Sequence, residues 1–175
     1  TLSFSGDQEI YLLTGSGKII KRLTSMRGSD LSPTWSPDGK KFAFVSNRSG
    51  SAQIYIQDVA SGKARRLTYE GNYNTQPSWS PLGDKIAFAS QGADGRHNIN
   101  VIDVESQEQL QLTQEAGDNE GPSWSPDGSL IVFSSNREGP SRLYVMTAFG
   151  TDQRRLLAMK GEQTNPKWSM NDFTN

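Results

Sequence analysis

The sequence predicts an all-β fold built from repeated four-stranded antiparallel units. Three observations carry that prediction. The four tryptophans Trp35, Trp79, Trp124 and Trp168 stand at spacings of 44, 45 and 44 residues. Each follows a proline by two positions (Pro33, Pro77, Pro122, Pro166) and precedes a serine (Ser36, Ser80, Ser125, Ser169), so one local structure recurs along the chain. No stretch places apolar residues at i, i+3, i+4 and i+7 for the length of a helix.

Each repeat can be read strand by strand. The Pro-x-Trp-Ser segment is the first strand. Pro37-Asp38-Gly39-Lys40, Pro81-Leu82-Gly83-Asp84 and Pro126-Asp127-Gly128-Ser129 follow it. A proline with fixed φ and a glycine free to take positive φ make each of these a tight turn. The second strand alternates large and small residues, as in Phe42-Ala43-Phe44-Val45, Ile86-Ala87-Phe88-Ala89 and Ile131-Val132-Phe133-Ser134. A polar loop leads to the third strand at Ile54-Tyr55-Ile56, Ile99-Asn100-Val101 and Leu143-Tyr144-Val145. The fourth, outer strand ends in Arg66-Leu67-Thr68, Gln111-Leu112-Thr113 and Arg155-Leu156-Leu157. Four short strands in about 44 residues make one blade of a β-propeller, because such a sheet must bury both faces against like neighbours.

The reading divides the chain into a partial blade over 1–24, blades over 25–68, 69–113 and 114–157, and a closing strand over 164–170. In the partial blade, Leu2-Ser3-Phe4-Ser5, Ile10-Tyr11-Leu12 and Arg22-Leu23-Thr24 match strands two, three and four. Its first strand is expected from a C-terminal segment, with Trp168 beside Leu2 to Ser5 either within one molecule or across a pair, so that no strand edge stays open. The chain begins at Thr1 inside a strand, and a fragment or processed piece with an export leader once upstream is expected.

The 175 residues are 33% hydrophobic and 21% charged, with mean hydropathy -0.65, and no apolar run is long enough to span a bilayer. Eighteen basic against nineteen acidic residues give a net charge of -1, which argues against a polyphosphate partner. The absence of cysteine excludes disulfides and thiolate metal sites. The single histidine, His97, is expected in an exposed loop between the second and third strands, and no Gly-x-Ser-x-Gly elbow, P-loop or dinucleotide fingerprint occurs. Asp38 and Asp127 are read as turn formers and the tryptophans as packing, while Arg48 and Arg137 are expected to bond backbone carbonyls of the next loop. No catalytic residue, cofactor or metal is expected.

Residues that vary between repeats on a fixed frame are the candidates for recognition. They are Gly28 to Ser32, Gly71 to Gln76, Ala116 to Glu120 and Glu162 to Asn165, read as loops that emerge on one polar, mildly acidic rim.

The Pro-x-Trp-Ser-Pro-Asp-Gly element, the Phe-x-Ser-Asn-Arg step at Phe44 to Arg48 and Phe133 to Arg137, and the Arg-Leu-Thr strand together resemble the TolB-type propeller repeat over nearly the whole chain. The resemblance implies a six-bladed parent preceded by a small α/β domain, a periplasmic location and no enzymatic activity. It also implies a protein partner, the peptidoglycan-associated lipoprotein Pal, held on the rim by Tyr73, Asn74, Thr75 and Gln76, by Asp118, Asn119 and Glu120, and by Gln163, Thr164 and Asn165. Similar repeats occur in prolyl oligopeptidase-like and tricorn-like peptidases, which leaves a substrate-gating propeller as the alternative.

Overall fold

The computed structural model describes residues 1–3, 6–114 and 117–169; the expectations for Phe4, Ser5, Ala116 and Met170 lie outside them. Sixteen strands and no helix occur among the described residues. Three antiparallel sheets of four strands follow one another along the chain. The first contains β5 (Asp30–Trp35), β6 (Lys41–Ser46), β7 (Gln53–Asp58) and β8 (Ala64–Arg66). The second contains β9 (Tyr73–Trp79), β10 (Lys85–Gln91), β11 (His97–Asp103) and β12 (Gln109–Gln111). The third contains β13 (Asn119–Trp124), β14 (Leu130–Ser135), β15 (Arg142–Thr147) and β16 (Arg154–Arg155). Two short pairs precede them: β1 (Leu2–Ser3) with β2 (Gln8–Glu9), and β3 (Tyr11–Leu13) with β4 (Ile19–Arg22).

The repeated motifs account for this geometry. In the first turn the Lys40 amide donates to Asp38 Oδ1 at 3.1 Å and the Lys41 amide donates to Ser36 Oγ at 2.9 Å. Ser125 and Asp127 repeat the arrangement, so both aspartates are turn formers. The inner strands each carry a bulge just before the proline, where Ser32, Gln76 and Gly121 take φ of 51°, 54° and 62°. In the outer strand the threonine of Arg-Leu-Thr is a lock. Thr68 Oγ1 accepts the Ile54 amide at 2.9 Å and donates to Gln53 Oε1 at 2.8 Å, and Thr113 does the same for Ile99 and Asn98.

Alternation in β6 and β7 sends Ala43, Val45, Ile54 and Ile56 to one face and Phe42, Phe44 and Tyr55 to the other. The first set packs on Trp79, Ile86, Phe88 and Ile102 of the next sheet, and Ala87, Ile99 and Val101 pack in turn on Trp124, Ile131 and Phe133. Both faces of the middle sheet are therefore covered by its neighbours.

The tryptophans end the three inner strands as expected, but they are not equally buried. Trp79 and Trp124 are 8% and 5% exposed, whereas Trp35 is 44% exposed. Trp79 and Trp124 rest on the preceding inner strand: the Trp79 amide donates to Thr34 Oγ1 at 3.3 Å, and Trp124 Nε1 donates to the Ser78 carbonyl at 3.1 Å. No inner strand precedes Trp35 among the described residues. At the other end, residues 165–169 form no strand, and the Trp168 amide donates to Ser123 Oγ at 3.2 Å. Trp168 thus continues the series beside β13, while β1 pairs with β2; the expected pairing of Trp168 beside Leu2 and Ser3 is absent among the described residues.

Candidate protein-binding rim

The rim forms where inner strands begin and third strands begin. Tyr73 and His97 both pair with Gln91, one from each side, which places them at the same end of the middle sheet. Their rings lean across Gln91 and meet edge to face with centroids 6.3 Å apart. The next connection reaches the same spot from the third sheet. Gly117 (φ 64°) turns the chain so closely that a Cβ there would lie 2.2 Å from Asn136 Oδ1. The Asp118 amide then donates to Asn136 Oδ1 at 2.7 Å.

This turn aims two carboxylates at His97. Asp118 Oδ1 lies 3.5 Å and Glu120 Oε1 3.6 Å from His97 Nδ1. The His97 backbone amide donates to Asp118 Oδ1 at 3.0 Å, and that bond, helped by Asn136 and the imidazole, holds the Asp118 carboxyl below its ordinary range against partial burial. A recess of about 450 Å³ opens here, lined by His97, Asp118, Glu120, Ser134, Asn136 and Thr164 among others. Tyr73 stands beside it, 48% exposed. The arrangement combines an exposed aromatic, a histidine and two hydrogen-bond-accepting carboxylates on strand ends.

Several of the ten expected residues have other placements. Tyr73 to Gln76 belong to β9 and are not a loop, because the inner strand starts earlier than its apolar residues indicate. Asn74 and Asn119 are fully buried. Asn74 Nδ2 donates to Gln53 Oε1 at 2.9 Å and to the Glu70 carbonyl at 2.7 Å, while Asn119 Oδ1 accepts from Arg137 Nη2 at 2.8 Å. Such side chains tie blades together and present no surface to a partner. Gln163 stands at the same repeat position, five residues before its tryptophan, and its Nε2 donates to the Met159 carbonyl at 3.3 Å. Gln76 Oε1 accepts the Gly121 amide of the neighbouring inner strand at 2.8 Å, a brace between blades. Thr75, Asp118 and Glu120 are half-buried, and Thr164 and Asn165 are exposed.

His97 is the residue that sequence reasoning misplaced. It opens β11 and is mostly covered, held among groups some 21 to 24 residues away in sequence. The available signal was its register opposite Gln91, which depends on the length of a loop that differs from those of the other repeats.

Arg48 and Arg137 are structural, but their partners are side chains and not loop carbonyls. Arg48 donates twice to Asp30 at 2.8 and 2.9 Å and through Nε to Ser46 Oγ at 2.8 Å, with its guanidinium over Phe44 and Tyr55. Arg137 donates to Asn119, to Ser135 Oγ and to Gln153, over Phe133 and Tyr144.

Residues 1–172 match the family described as the TolB beta propeller domain. A protein TolB homologue of Chlorobium luteolum is 59% identical over 169 residues, covering 97% of this chain and 39% of the relative. A Tol-Pal system protein TolB of Desulfosudis oleivorans is 72% identical over 36 residues, 20% of this chain and 8% of the relative. The chain therefore spans well under half the length of these relatives. Among solved structures, TolB of Acinetobacter baumannii superposes with a TM-score of 0.76 at 29% identity, covering 86% of this chain and 37% of the other. A prolyl endopeptidase superposes with a TM-score of 0.63 at 20% identity over 89% of this chain and 27% of the other, a likeness of fold alone.

Proposed function

We propose, from the premise that this chain belongs to the TolB β-propeller family, that it is a non-enzymatic scaffold of a periplasmic Tol-Pal system. Its rim binds the peptidoglycan-associated lipoprotein Pal. The observation that carries the reading is the convergence of Tyr73, His97, Asp118 and Glu120 around one recess. An exposed aromatic among hydrogen-bonding groups on a rigid frame is the composition from which interfaces draw their few dominant contacts. Tyr73, Thr75, Asp118, Glu120 and Thr164 are the contact residues of this proposal. Asn74, Asn119, Gln76 and Gln163 act behind them by fixing the strands. The 59% identity to a TolB homologue favours this reading over a peptidase propeller, for which only the fold speaks.

Titration calorimetry of Pal into the protein at its full natural length tests the proposal. Tyr73→Ala should weaken binding by about 2 kcal/mol, roughly thirtyfold, with the melting temperature nearly unchanged because the ring lies outside the blade core. Unchanged affinity together with a large fall in melting temperature would show that Tyr73 is packing and that the contact surface lies elsewhere.

A further inference from the structure

The end of the sheets opposite the rim carries clefts between neighbouring blades, and one of them differs in chemistry from the one before it. Tyr73 and His97 mark one end of the middle sheet, opposite Gln91; Lys85 and Asp103 pair at its other end. Both line a groove of about 1260 Å³ between the middle and third sheets. In the preceding cleft, between the first and middle sheets, Arg65 of β8 reaches across and donates through Nη2 to the Val104 carbonyl at 2.6 Å. The matching residue of β12 is Leu110: Arg65 pairs with Ile56 and Leu110 with Val101, in the same register. Across the groove Val104 and Glu105 are replaced by Ala148 and Phe149.

A polar bridge has thus given way to an apolar lining. Leu82, Leu110 and Phe149 line the groove and are 69%, 56% and 79% exposed. The walls are held without the arginine. Gln153 Nε2 donates to the Leu112 carbonyl at 2.9 Å, and a Cβ on Gly150 would lie 3.0 Å from Leu112, so the third sheet's turn sits against the end of β12. A Cβ on Gly128 would lie 3.1 Å from Leu82, which fixes the other wall in the same way. Three large apolar side chains therefore face water in one pinned groove, and only another surface can cover them. The groove is also acidic. Glu70, Asp84, Asp103, Glu108 and Asp127 line it, and Lys85 is its one cation among the described residues. Lys85 already donates to Asp84 and lies 4.0 Å from Asp103, so negative charge remains in excess. The Ser106 and Glu105 amides hold the Asp103 carboxyl below its ordinary range, and the Ser125 hydroxyl does so for Asp127.

We propose that this groove docks a segment of another protein that carries lysine or arginine beside large apolar side chains. The apolar side chains cover Leu82, Leu110 and Phe149, and the cations meet the surplus carboxylates around them. A second copy of this chain suits the groove less well. Its own basic apolar strand, Lys18 to Arg22, is exposed, but strand and groove are different surfaces, and copies joined that way would run on into rings or filaments. The groove lies at the far end of the sheet from Tyr73 and His97 and does not depend on the function proposed for that rim.

Fluorescence anisotropy with a labelled peptide of alternating lysine and leucine, on the protein at its full natural length, is the test. That peptide should bind about tenfold or more tightly than one of alternating glutamate and leucine or of alternating lysine and serine, and the affinity should fall as salt is raised. Leu110→Arg, which copies Arg65, and Glu108→Lys should each weaken binding by about tenfold. Both side chains are exposed, so the melting temperature should stay nearly unchanged. Equal affinity for the three peptides, affinity indifferent to salt, or undiminished binding in both folded variants would each overturn the proposal. So would a full-length protein that binds none of the peptides, its groove then being covered by the rest of its own chain. Self-association that Leu110→Arg abolishes would make a second copy the occupant and overturn it equally.

Discussion

Replacing Arg48 by methionine should be among the most damaging single changes in this chain, and a second substitution should repair much of the damage. The Asp30 carboxylate is 1% exposed and the Arg48 side chain 13%, and two hydrogen bonds of 2.8 and 2.9 Å join them. Methionine retains the stem that packs on Phe44 and Tyr55 but leaves a buried charge without its partner, which costs about 3–5 kcal/mol. Asp30→Asn in the same protein converts that charge into a buried neutral amide. The chain tolerates this state at Asn74, whose Oδ1 lacks a partner in the middle sheet. The cost of the double variant falls to about 1–3 kcal/mol, that of one unmet acceptor.

Urea denaturation measures both variants. With a slope of about 2 kcal/mol/M, Arg48→Met should lower the midpoint by roughly 2 M and the double variant by about 1 M, provided the slope stays constant. Asp30→Asn alone should cost only about 1 kcal/mol, since Arg137 and Asn119 already form an arginine–amide pair. A double variant no more stable than Arg48→Met would refute the reasoning, because the buried charge would then not be the source of the loss. So would an Arg48→Met cost below about 1 kcal/mol, the range of a surface ion pair.

Other outcomes follow from the same bonds. Thr113→Val keeps the shape of the side chain but strands the buried Ile99 amide and leaves Asn98 Oδ1 only the long bond from Asn119 Nδ2, so it should cost about 1–3 kcal/mol by thermal or urea unfolding. Trp124→Ala should cost about 3–5 kcal/mol, while Trp35→Ala, at a site 44% exposed, should cost clearly less in the same assay on this chain. The Asp127 carboxyl is lowered to about 2, first by the Ser125 hydroxyl and then by the Ser129 amide and hydroxyl. Its contribution is therefore present above the ordinary carboxylate range and is lost as pH falls from about 4 through about 2. Asp127→Asn should flatten that part of the acid-unfolding curve, and an unchanged curve would exclude the turn as a source of acid sensitivity.

The fold was legible because its determinants are local and repeated. The Ser-Pro-Asp-Gly turn closes through bonds spanning two to five residues, and the alternation of Phe42-Ala43-Phe44-Val45 states which side chains face which neighbour. The start of the inner strand was not legible. Asp30, Asn74 and Asn119 are polar and precede a bulge, so they read as loop, yet each is buried by partners from elsewhere in the chain. His97 failed for the same reason, since its surroundings are set by a bond to Asp118, 21 residues on.

These failures share a cause that bears on how the rim works. In a propeller the start of an inner strand meets the far end of its own sheet and the sheet beside it, so the environment of these side chains is written 18 to 21 positions away, beyond any local pattern. The position five residues before each tryptophan shows what this allows. It is Asp30 with an arginine, Asn74 without one, Asn119 with one, and Gln163 near the end of the described chain. The backbone course is alike for Asp30, Asn74 and Asn119, each of which follows a threonine lock (Thr24, Thr68, Thr113) and precedes a bulge. The identity of the anchor and its partner can therefore change from blade to blade without moving the strand start that carries Tyr73 or Asp118. Tyr73 is the residue this leaves free to vary, because the strand start beneath it is held by the Asn74 side chain, whereas Asp118 also holds the His97 amide and is tied to the frame it decorates.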